Sequence, residues 1–534
     1  MSAITPQTEL RLIKCPIESD NRNQLTFSDV TAQYNYFNSL PHLTVDNFTY
    51  QRKDNVIRYP AHIDSILTYN YVMYQNEAYT NKWFYAFITN MEYVNDNMTL
   101  ITIKTDVYQT WQFDMVWKRS FIEREHTNDD TIGANTQPEN LETGEFKINS
   151  VNTDSNLTNP ANIHYYLGTT LDLEGVGTDD PLYQDSGGVY NGIYSGAKYW
   201  RFSRENYGSI RGILNWVAHT GQLDGIVGLF MCPSFLDSSG SNKVAESNTP
   251  HTYNITFNKN YGLDNYSPKN NKLYVYPYCY LAVTNGGGDA HIYRYEFFST
   301  SNCGFTVNGL LAPGGSIKLN PKSYNGQSEN MQEIMTLGKF PICNYDVDMY
   351  TNWLTQNSIN IGGHTFTTDD IQGLNAITGF VGTFGSLVAS GVTGMPIGTG
   401  GGIISGASGI ANALIQKKQH ELISNAVQGD LNNGDVNTAL GNNAFKFYHM
   451  SVRTEYARKI DEYFNMFGYA TNEVKIPNIT GRSNWNYVKT IGANIEGDIP
   501  ESDINELKSM FNNGITLWHT TTYYLDYSRS NNIV

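Results

Sequence analysis

The sequence predicts a mainly β fold with some α-helix, of the α+β class. Aromatic-rich runs of strand character fill residues 34–126, and the abundant Tyr and Thr residues are those that favour half-buried strands. Two amphipathic helices stand out near the C-terminus. With 534 residues, the chain is long enough for several domains and a large core.

The clearest strands form a predicted β-hairpin. Trp83–Thr89 and Thr99–Val107 are separated by the turn residues Asn95, Asp96 and Asn97. In the second strand, Ile101 and Ile103 share one face and alternate with polar residues, which is the two-residue period of a half-buried strand. One side of the hairpin should therefore face a core.

Patterns in the middle of the chain are weaker. Residues 125–160 are rich in Asn, Thr, Asp and Gly, which favour loops. Lys272–Cys279 alternates as a short strand, and Asp346–Gln356 resembles a helix that leads toward an apolar stretch.

Two helices are predicted near the C-terminus. Val452–Phe467 carries aromatic and aliphatic residues at helical spacing, and Gly468 can end that helix. A second helix is expected to begin with Asp498 as N-cap and Glu501 at the capping-box position, and to end at Gly514. Ile515–Leu525 then returns to strand character.

The stretch 371–416 is free of charged residues, although acidic residues bracket it. It has two apolar legs joined by glycines and a proline, and the first leg barely reaches the ~17–20 residues of a membrane span. A hairpin or loop that is sheltered in one state and meets lipid in another is one interpretation, and a glycine-rich helical pair in a soluble core is the other. The candidate membrane-active residues are Leu374, Ile377, Phe380, Val381, Phe384, Leu387, Val388, Val392, Met395, Ile397, Ile403, Ile404, Ile410 and Leu414. The candidate hinge and packing residues are Gly394, Pro396, Gly398, Gly402 and Gly406.

Composition excludes several classes of function. The net charge of −16 argues against a protein that reads nucleic-acid sequence, although DNA could still pass through without binding. Five scattered cysteines indicate neither a zinc site nor a disulfide framework. The N-terminus lacks a signal peptide, so synthesis in a cytoplasm is expected. The low charged fraction, 16%, suits extensive subunit contacts, or simply a Tyr- and Thr-rich β fold.

Motifs for catalysis or ligand binding are weak. The glycine cluster near Gly400 lacks the residues of a phosphate-binding loop, and the hydrolase motifs are missing. The group from Glu123 to His126 could suggest acid–base chemistry, but charges at a strand end are usually solvated or ion-paired. Asp346 and Asp348 make a poor calcium site, and His519 is better explained as an interior histidine. We therefore expect no enzyme activity, no cofactor and no metal.

Blocks of aromatic and polar residues at both ends of the chain occur in an order that resembles a known family, the tail knob proteins of small short-tailed phages that infect Gram-positive bacteria. The resemblance covers roughly the first 126 and the last 95 residues. The blocks are residues 33–39, 71–76, 81–87, 106–111, 120–126, 441–445, 475–478 and 513–519, with a shorter match at 273–279.

The resemblance implies a homohexameric tube of β-barrel-type domains at the distal end of the virion tail, through which the DNA leaves. Similar proteins carry an apolar loop that plugs the tube and enters the host membrane, and 371–416 occupies its place. The implied partners are its own copies, a collar or tail tube above, a tip protein or lysin below, the passing DNA and the host membrane.

The resemblance also suggests how the chain is divided. Residues 1–150 and 417–534 would form the two parts of the tube domain, 151–345 a divergent middle, 346–370 a connecting helix or linker, and 371–416 the apolar loop. A cell-wall adhesin whose apolar segment is only core, or a wall hydrolase, are the competing functions.

Overall fold

A computed structural model describes residues 8–46, 50–51, 55–76, 82–173, 176, 183–185, 189–190, 193–194, 198–203, 207–222, 225–237, 251–286, 289–309, 311, 316–325, 334–337, 340, 342–343, 360–361, 364–365 and 443–534. These residues form a mainly β protein with some helix, which confirms the predicted class.

The strands, in chain order, are β1 (Thr8–Ile13), β2 (Asn23–Leu25), β3 (His42–Asp46), β4 (Tyr50–Gln51), β5 (Val56–Tyr59), β6 (Tyr71–Asn76), β7 (Trp83–Asn95), β8 (Met98–Thr105), β9 (Val116–Trp117), β10 (Ser120–Glu125), β11 (Phe146–Thr153), β12 (Ile163–Thr169), β13 (Tyr183–Asp185), β14 (Val189–Tyr190), β15 (Ile193–Tyr194), β16 (Lys198–Phe202), β17 (Ile226–Pro233), β18 (His251–Asn258), β19 (Cys279–Thr284), β20 (Ala290–Tyr293), β21 (Asn302–Gly309), β22 (Ile317–Lys322), β23 (Met335–Leu337), β24 (Ile342–Cys343), β25 (Asn360–Ile361), β26 (His364–Thr365), β27 (Lys446–Val452), β28 (Tyr469–Lys475), β29 (Trp485–Ile491), β30 (Ile495–Glu496) and β31 (Ile515–Trp518). The helices are α1 (Val30–Ser39), α2 (Val107–Trp111), α3 (Ser155–Thr158), α4 (Tyr207–His219), α5 (Thr454–Phe467) and α6 (Glu501–Asn513).

The chain divides into two compact units. Unit 1 comprises Met1–Glu145, Asn265–Val275 and Arg453–Val534, and unit 2 comprises Phe146–Asp264 and Tyr276–Val452. Each unit is therefore built from pieces that are distant in sequence.

Unit 1 contains two main sheets. One is antiparallel with the order β3-β1-β6-β7-β8-β5-β4, and the other has the order β2-β31-β29-β10-β28 with a single parallel pair, β2 and β31. Helices α2 and α6 pack on the second sheet around Trp111, Leu507 and Phe511. A stacked aromatic group around Phe37 and Trp485 lies at the centre of a further core. Burial of these large rings is the main driving force for folding of unit 1.

Unit 2 contains three larger sheets, with the orders β11-β27-β19-β20, β13-β16-β12-β17-β24 and β18-β21-β22-β23. All of their pairings are antiparallel. Along β27 the side chains of Phe447, His449 and Ser451 point inward and are buried, while those between them are half-buried.

The predicted hairpin and the helix before Gly468 are confirmed. The β7–β8 hairpin turns at the expected asparagines, where the Asn97 amide donates to the Asn95 side chain at 2.9 Å. Ile101 and Ile103 are buried on one face, as their spacing predicts. Helix α5 ends at Gly468, whose φ of 64° and ψ of −152° suit glycine.

Two local predictions are wrong and two hold only in part, since the strand predicted at Ile515–Leu525 ends at Trp518 and β11 lies within the region 125–160 where loops were expected. Lys272–Cys279 is not a strand: residues Asn271–Tyr274 form a 3₁₀ turn and β19 begins only at Cys279. The reason is that polar partners hold the turn, as described below. Helix α6 begins after Pro500, which has no side-chain cap, so Asp498 is not the N-cap.

Candidate functional site

The predicted membrane-active residues, from Leu374 to Leu414, and the hinge glycines lie outside the described residues. So do Asp346 and Asp348 and the helix predicted around them. The described chain stops before this region at Thr365 and resumes at Asn443.

Strands of the larger unit 2 sheets lie on both sides of this region in the chain, and the separate two-stranded pair β25–β26 lies between β24 and the region. Before it, β24 pairs with β17, where Phe230 faces Ile342. After it, Ala444 and Phe445 are fully buried, and β27 follows as an interior strand between β11 and β19. Because an interior strand is hydrogen-bonded on both sides, β27 attaches the chain firmly to unit 2 after the apolar segment.

A buried carboxylate in unit 1 organises a cluster of charges. The Glu139 side chain is 1% exposed and accepts from Lys272 Nζ at 2.5 Å, from Arg124 and from the Ala470 amide at 2.9 Å. Burial lowers the pKa of the Lys272 ammonium, and the neighbouring Glu139 counteracts that effect. Glu139 is thus the shared counter-charge of both cations, and all of these contacts lie within unit 1, so the cluster is structural.

A second carboxylate, Asp461 on α5, holds the segment that returns to unit 1 from unit 2. Its Oδ2 accepts from the Tyr266 hydroxyl and the Lys269 amide, both at 2.7 Å. Its Oδ1 accepts from the Asn270 amide at 3.0 Å and from the Asn270 side chain at 2.8 Å. These bonds hold residues 269–270 in place immediately before the 3₁₀ turn, which explains the failed strand prediction.

The group from Glu123 to His126 is also structural. Glu125 binds Lys475 at 2.9 Å and Glu123 binds Lys489 at 2.7 Å. The Tyr487 amide donates to His126 Nδ1 at 2.8 Å, so Nε2 carries the hydrogen and donates to the Asn465 carbonyl at 3.1 Å. Burial lowers the pKa of His126 to about 3, so the ring stays neutral. Ion pairing, the simpler of the two sequence interpretations, is confirmed.

The four cysteines whose side chains the structure describes, and His519, show no features of catalysis. Burial raises the pKa of the Cys15 and Cys303 thiols to about 12, which keeps them as unreactive thiols. His519 is hydrogen-bonded to Asn486 at 2.9 Å, as expected for an interior histidine. In the described residues, no three His, Cys, Asp or Glu side chains are close enough to hold a metal ion.

Unit 1 also has a cleft of about 870 Å³. Its lining includes the ion pair between Lys104 and Glu506, at 2.7 Å, and the aromatic rings of Phe467, Tyr487 and Tyr527. The lining residues include neither histidine nor cysteine, so an imidazole base and a thiol nucleophile are both lacking there. Within the described part of the chain, none of the helices has the length and apolar character needed to cross a bilayer.

Comparison with known proteins supplies the family. The family described as "Bacillus phage phi29, Tail knob protein gp9, C-terminal domain" matches residues 242–532, which is more than half of the chain. The chain belongs to this family. A second family, the caudoviral major tail protein N-terminus, matches residues 6–118.

Relatives within the tail knob family match over nearly their whole length. The tail knob protein gp9 of Bacillus phage phi29 is 26% identical, with 96% of each chain covered. That of Bacillus phage B103 is 24% identical, with 98% of each covered. The fold is similar to that of the bacteriophage C1 tail knob protein gp12, with a TM-score of 0.58, 15% identity and coverage of 99% of this chain and 100% of that one. Tail knob proteins are structural components of phage virions, and the chain has that role.

The residues that hold the two carboxylate clusters of unit 1 together could not be identified from the sequence. Glu139, Lys272 and Asp461 are scattered along the chain and belong to no spaced motif. The only available signal was that charged residues are scarce in this protein.

Proposed function

We propose that this protein forms the distal knob of a short-tailed phage tail, as a homohexameric tube through which the genome is ejected. The family match covers residues 242–532 and so includes the uncharged segment 371–416. This match is the observation that carries the proposal. The relatives' near-complete coverage supports extending it to the whole chain. Other tail proteins would contact the tube above and below.

The apolar segment is the proposed plug and membrane-penetrating element. Six copies, each without a charged residue between positions 371 and 416, could be stored by packing against one another inside the tube. On release, their backbone groups must pair internally in lipid, which requires helices or a closed assembly. The firm attachment of β27 supports a segment that moves while unit 2 stays folded.

Electron microscopy of the purified protein tests the assembly. We expect hollow rings or tubes with six-fold symmetry. Compact single copies would contradict the tube, and a ring of another copy number would correct the hexamer alone.

Dye release from liposomes tests the membrane role. We expect release with the wild-type protein and little release with a variant that lacks residues 371–416. Substituting Phe380, Phe384 and Leu387 by serine should give the same loss, because transfer of apolar side chains to lipid drives insertion.

A matched variant of the same segment controls for sequence change. Exchanging Thr383 and Ser386 for serine and threonine keeps the apolar surface and should release dye like the wild type. All variants should show the same ring in the microscope. Equal release by the wild type and the deletion variant would remove the membrane role but leave the knob role intact.

A further inference from the structure

One face of the β11-β27-β19-β20 sheet in unit 2 is apolar, with exposed side chains on the edge strands β11 and β20 and half-buried side chains on β27 and β19 between them. A single row crosses all four strands, since Val151 is opposite Tyr448, Tyr448 is opposite Ala282, and Ala282 is opposite Ile292. Val151 is 47% exposed and Ile292 is 46% exposed. The opposite face of the same strands is buried core.

A second apolar row lies beside the first. Ile148 and Tyr280 flank Met450 in register, and Ile148 is 49% exposed. Charged side chains lie at the borders of the two rows: Lys446 lies between Thr153 and Thr284 in the row beyond the first, and Arg294 lies 4.2 Å from the ring of Tyr276, which contacts Tyr280. We call these two uncharged rows the unit 2 face.

A smaller surface of the same kind occurs on the second sheet of unit 1. Phe121 on β10 lies in register between Val474 on β28 and Ile491 on β29. Val474 is 53% exposed and Ile491 is 59% exposed. Ion pairs flank this row, including Glu123 with Lys489. We call it the unit 1 face.

The chemistry of both faces fits contact with a second copy of this chain. Interface cores are depleted in charge and enriched in Tyr, Phe and Met, surrounded by a polar rim, and that is the composition here. Strand spacing gives the unit 2 face an area on the order of 200–300 Å². This is the size of an apolar core within the ~800 Å² that each partner contributes to a stable interface.

The number of apolar faces decides whether copies of the chain can close into a ring. A ring closes only when each copy meets its two neighbours through two different surfaces, whereas one self-complementary surface stops at a dimer. The described residues offer two different apolar faces, one in each unit.

We propose that the unit 2 face of one copy packs against the unit 1 face of the next copy in the tube. This inference rests on the ring proposed above, and it assigns the residues that build that ring.

Two single substitutions test the assignment. Ile292→Asp puts a charge on the unit 2 face, and Ile491→Asp puts one on the unit 1 face. Each side chain is about half exposed, so the fold should survive, with an unchanged circular dichroism spectrum. By mass photometry the wild type should be a ring, and each variant alone should be a single copy.

Mixing the two variants gives the decisive result. In an equimolar mixture each variant retains the face that the other lacks, so pairs should form and growth should stop there. The double variant should neither form rings nor pair with itself. Leu67→Asp in unit 1 and Trp216→Asp in unit 2, at other exposed apolar positions, should leave the ring intact.

The other outcomes separate the two proposals. Rings formed by Ile292→Asp or Ile491→Asp would overturn the face assignment while leaving the ring. Single copies in the mixture would overturn the pairing of these two faces with each other. A wild type that is itself a single copy would overturn the ring, and this inference with it.

Discussion

At the scale of single residues, Gly468 is fixed by both backbone angle and space. A β-carbon there would lie 2.2 Å from the Glu125 carbonyl oxygen, and the φ of 64° already disfavours other residues. We expect Gly468→Ala to destabilise unit 1 by about 3 kcal/mol or more. Urea unfolding followed by tryptophan fluorescence measures the change.

Gly492 provides the matched control for that substitution. Its φ is 73°, but a β-carbon there would meet no atom within 4 Å. Gly492→Ala should therefore lower the free energy of unfolding only through the unfavourable backbone angle, by about 1 kcal/mol. Equal costs at the two positions would show that the contact with Glu125 is unimportant.

The buried carboxylate of Glu139 is the second position where one side chain decides stability. In Glu139→Gln, the buried Lys272 ammonium and the Arg124 guanidinium would lose their shared counter-charge. We expect a loss of about 3–5 kcal/mol, measured by hydrogen exchange in β10 and β28. Glu496→Gln removes the exposed pair with Lys118 and should cost less than about 1 kcal/mol. Similar losses in both variants would contradict this role for Glu139.

At the scale of elements, helix α5 holds the segment 265–275 in place through the carboxylate of Asp461. Asp461→Asn would bring an amide group against donors that now meet carboxylate oxygens. We expect unit 1 to lose about 2–3 kcal/mol and residues 265–275 to become sensitive to limited proteolysis. Glu462→Gln, at the exposed neighbouring position of the same helix, should change neither property. If residues 265–275 of Asp461→Asn resisted proteolysis as in the wild type, this role of Asp461 would be refuted.

The accuracy of the sequence predictions follows how local each element is. The β7–β8 hairpin and the end of α5 depend on nearby turn residues and a glycine, so their patterns were sufficient. The strand predicted at Lys272–Cys279 failed because its conformation is imposed by Asp461 and Glu139, both more than a hundred residues away. For the same reason, sequence spacing could not show that 265–275 belongs to unit 1. The exposed apolar faces could not be predicted from the sequence either, because their residues come from distant strands and form a row only when those strands pair.

At the scale of the whole molecule, buried and half-buried histidines couple folding to pH. Burial lowers the pKa of His126 and His519 in unit 1, and of His164 and His449 in unit 2. Because the unfolded rings take up protons below about pH 6.5, each contributes stability that is present above that pH and is lost as the pH falls. Burial raises the pKa of Asp106 to about 6, and this carboxyl acts in the opposite direction between about pH 6 and 4.

A single substitution isolates the histidine effect. With a folded pKa of about 3, His126 should account for about 2 kcal/mol of stability lost between pH 7 and pH 5. We therefore expect His126→Gln to lose about 2 kcal/mol less than the wild type over that range, measured by urea unfolding at both pH values. A parallel pH dependence for the wild type and His126→Gln would exclude this histidine as the cause.

The parallel pairing of β2 with β31 has a consequence for synthesis. Asn23 lies opposite Thr516, so almost the entire chain must leave the ribosome before this sheet can be completed. At ~5–20 residues per second, the N-terminal strands would wait roughly half a minute to two minutes for their partners. All of unit 2 emerges within that interval and can fold first. A chain that ends before β31 would therefore lack a complete unit 1, even where its unit 2 has already folded.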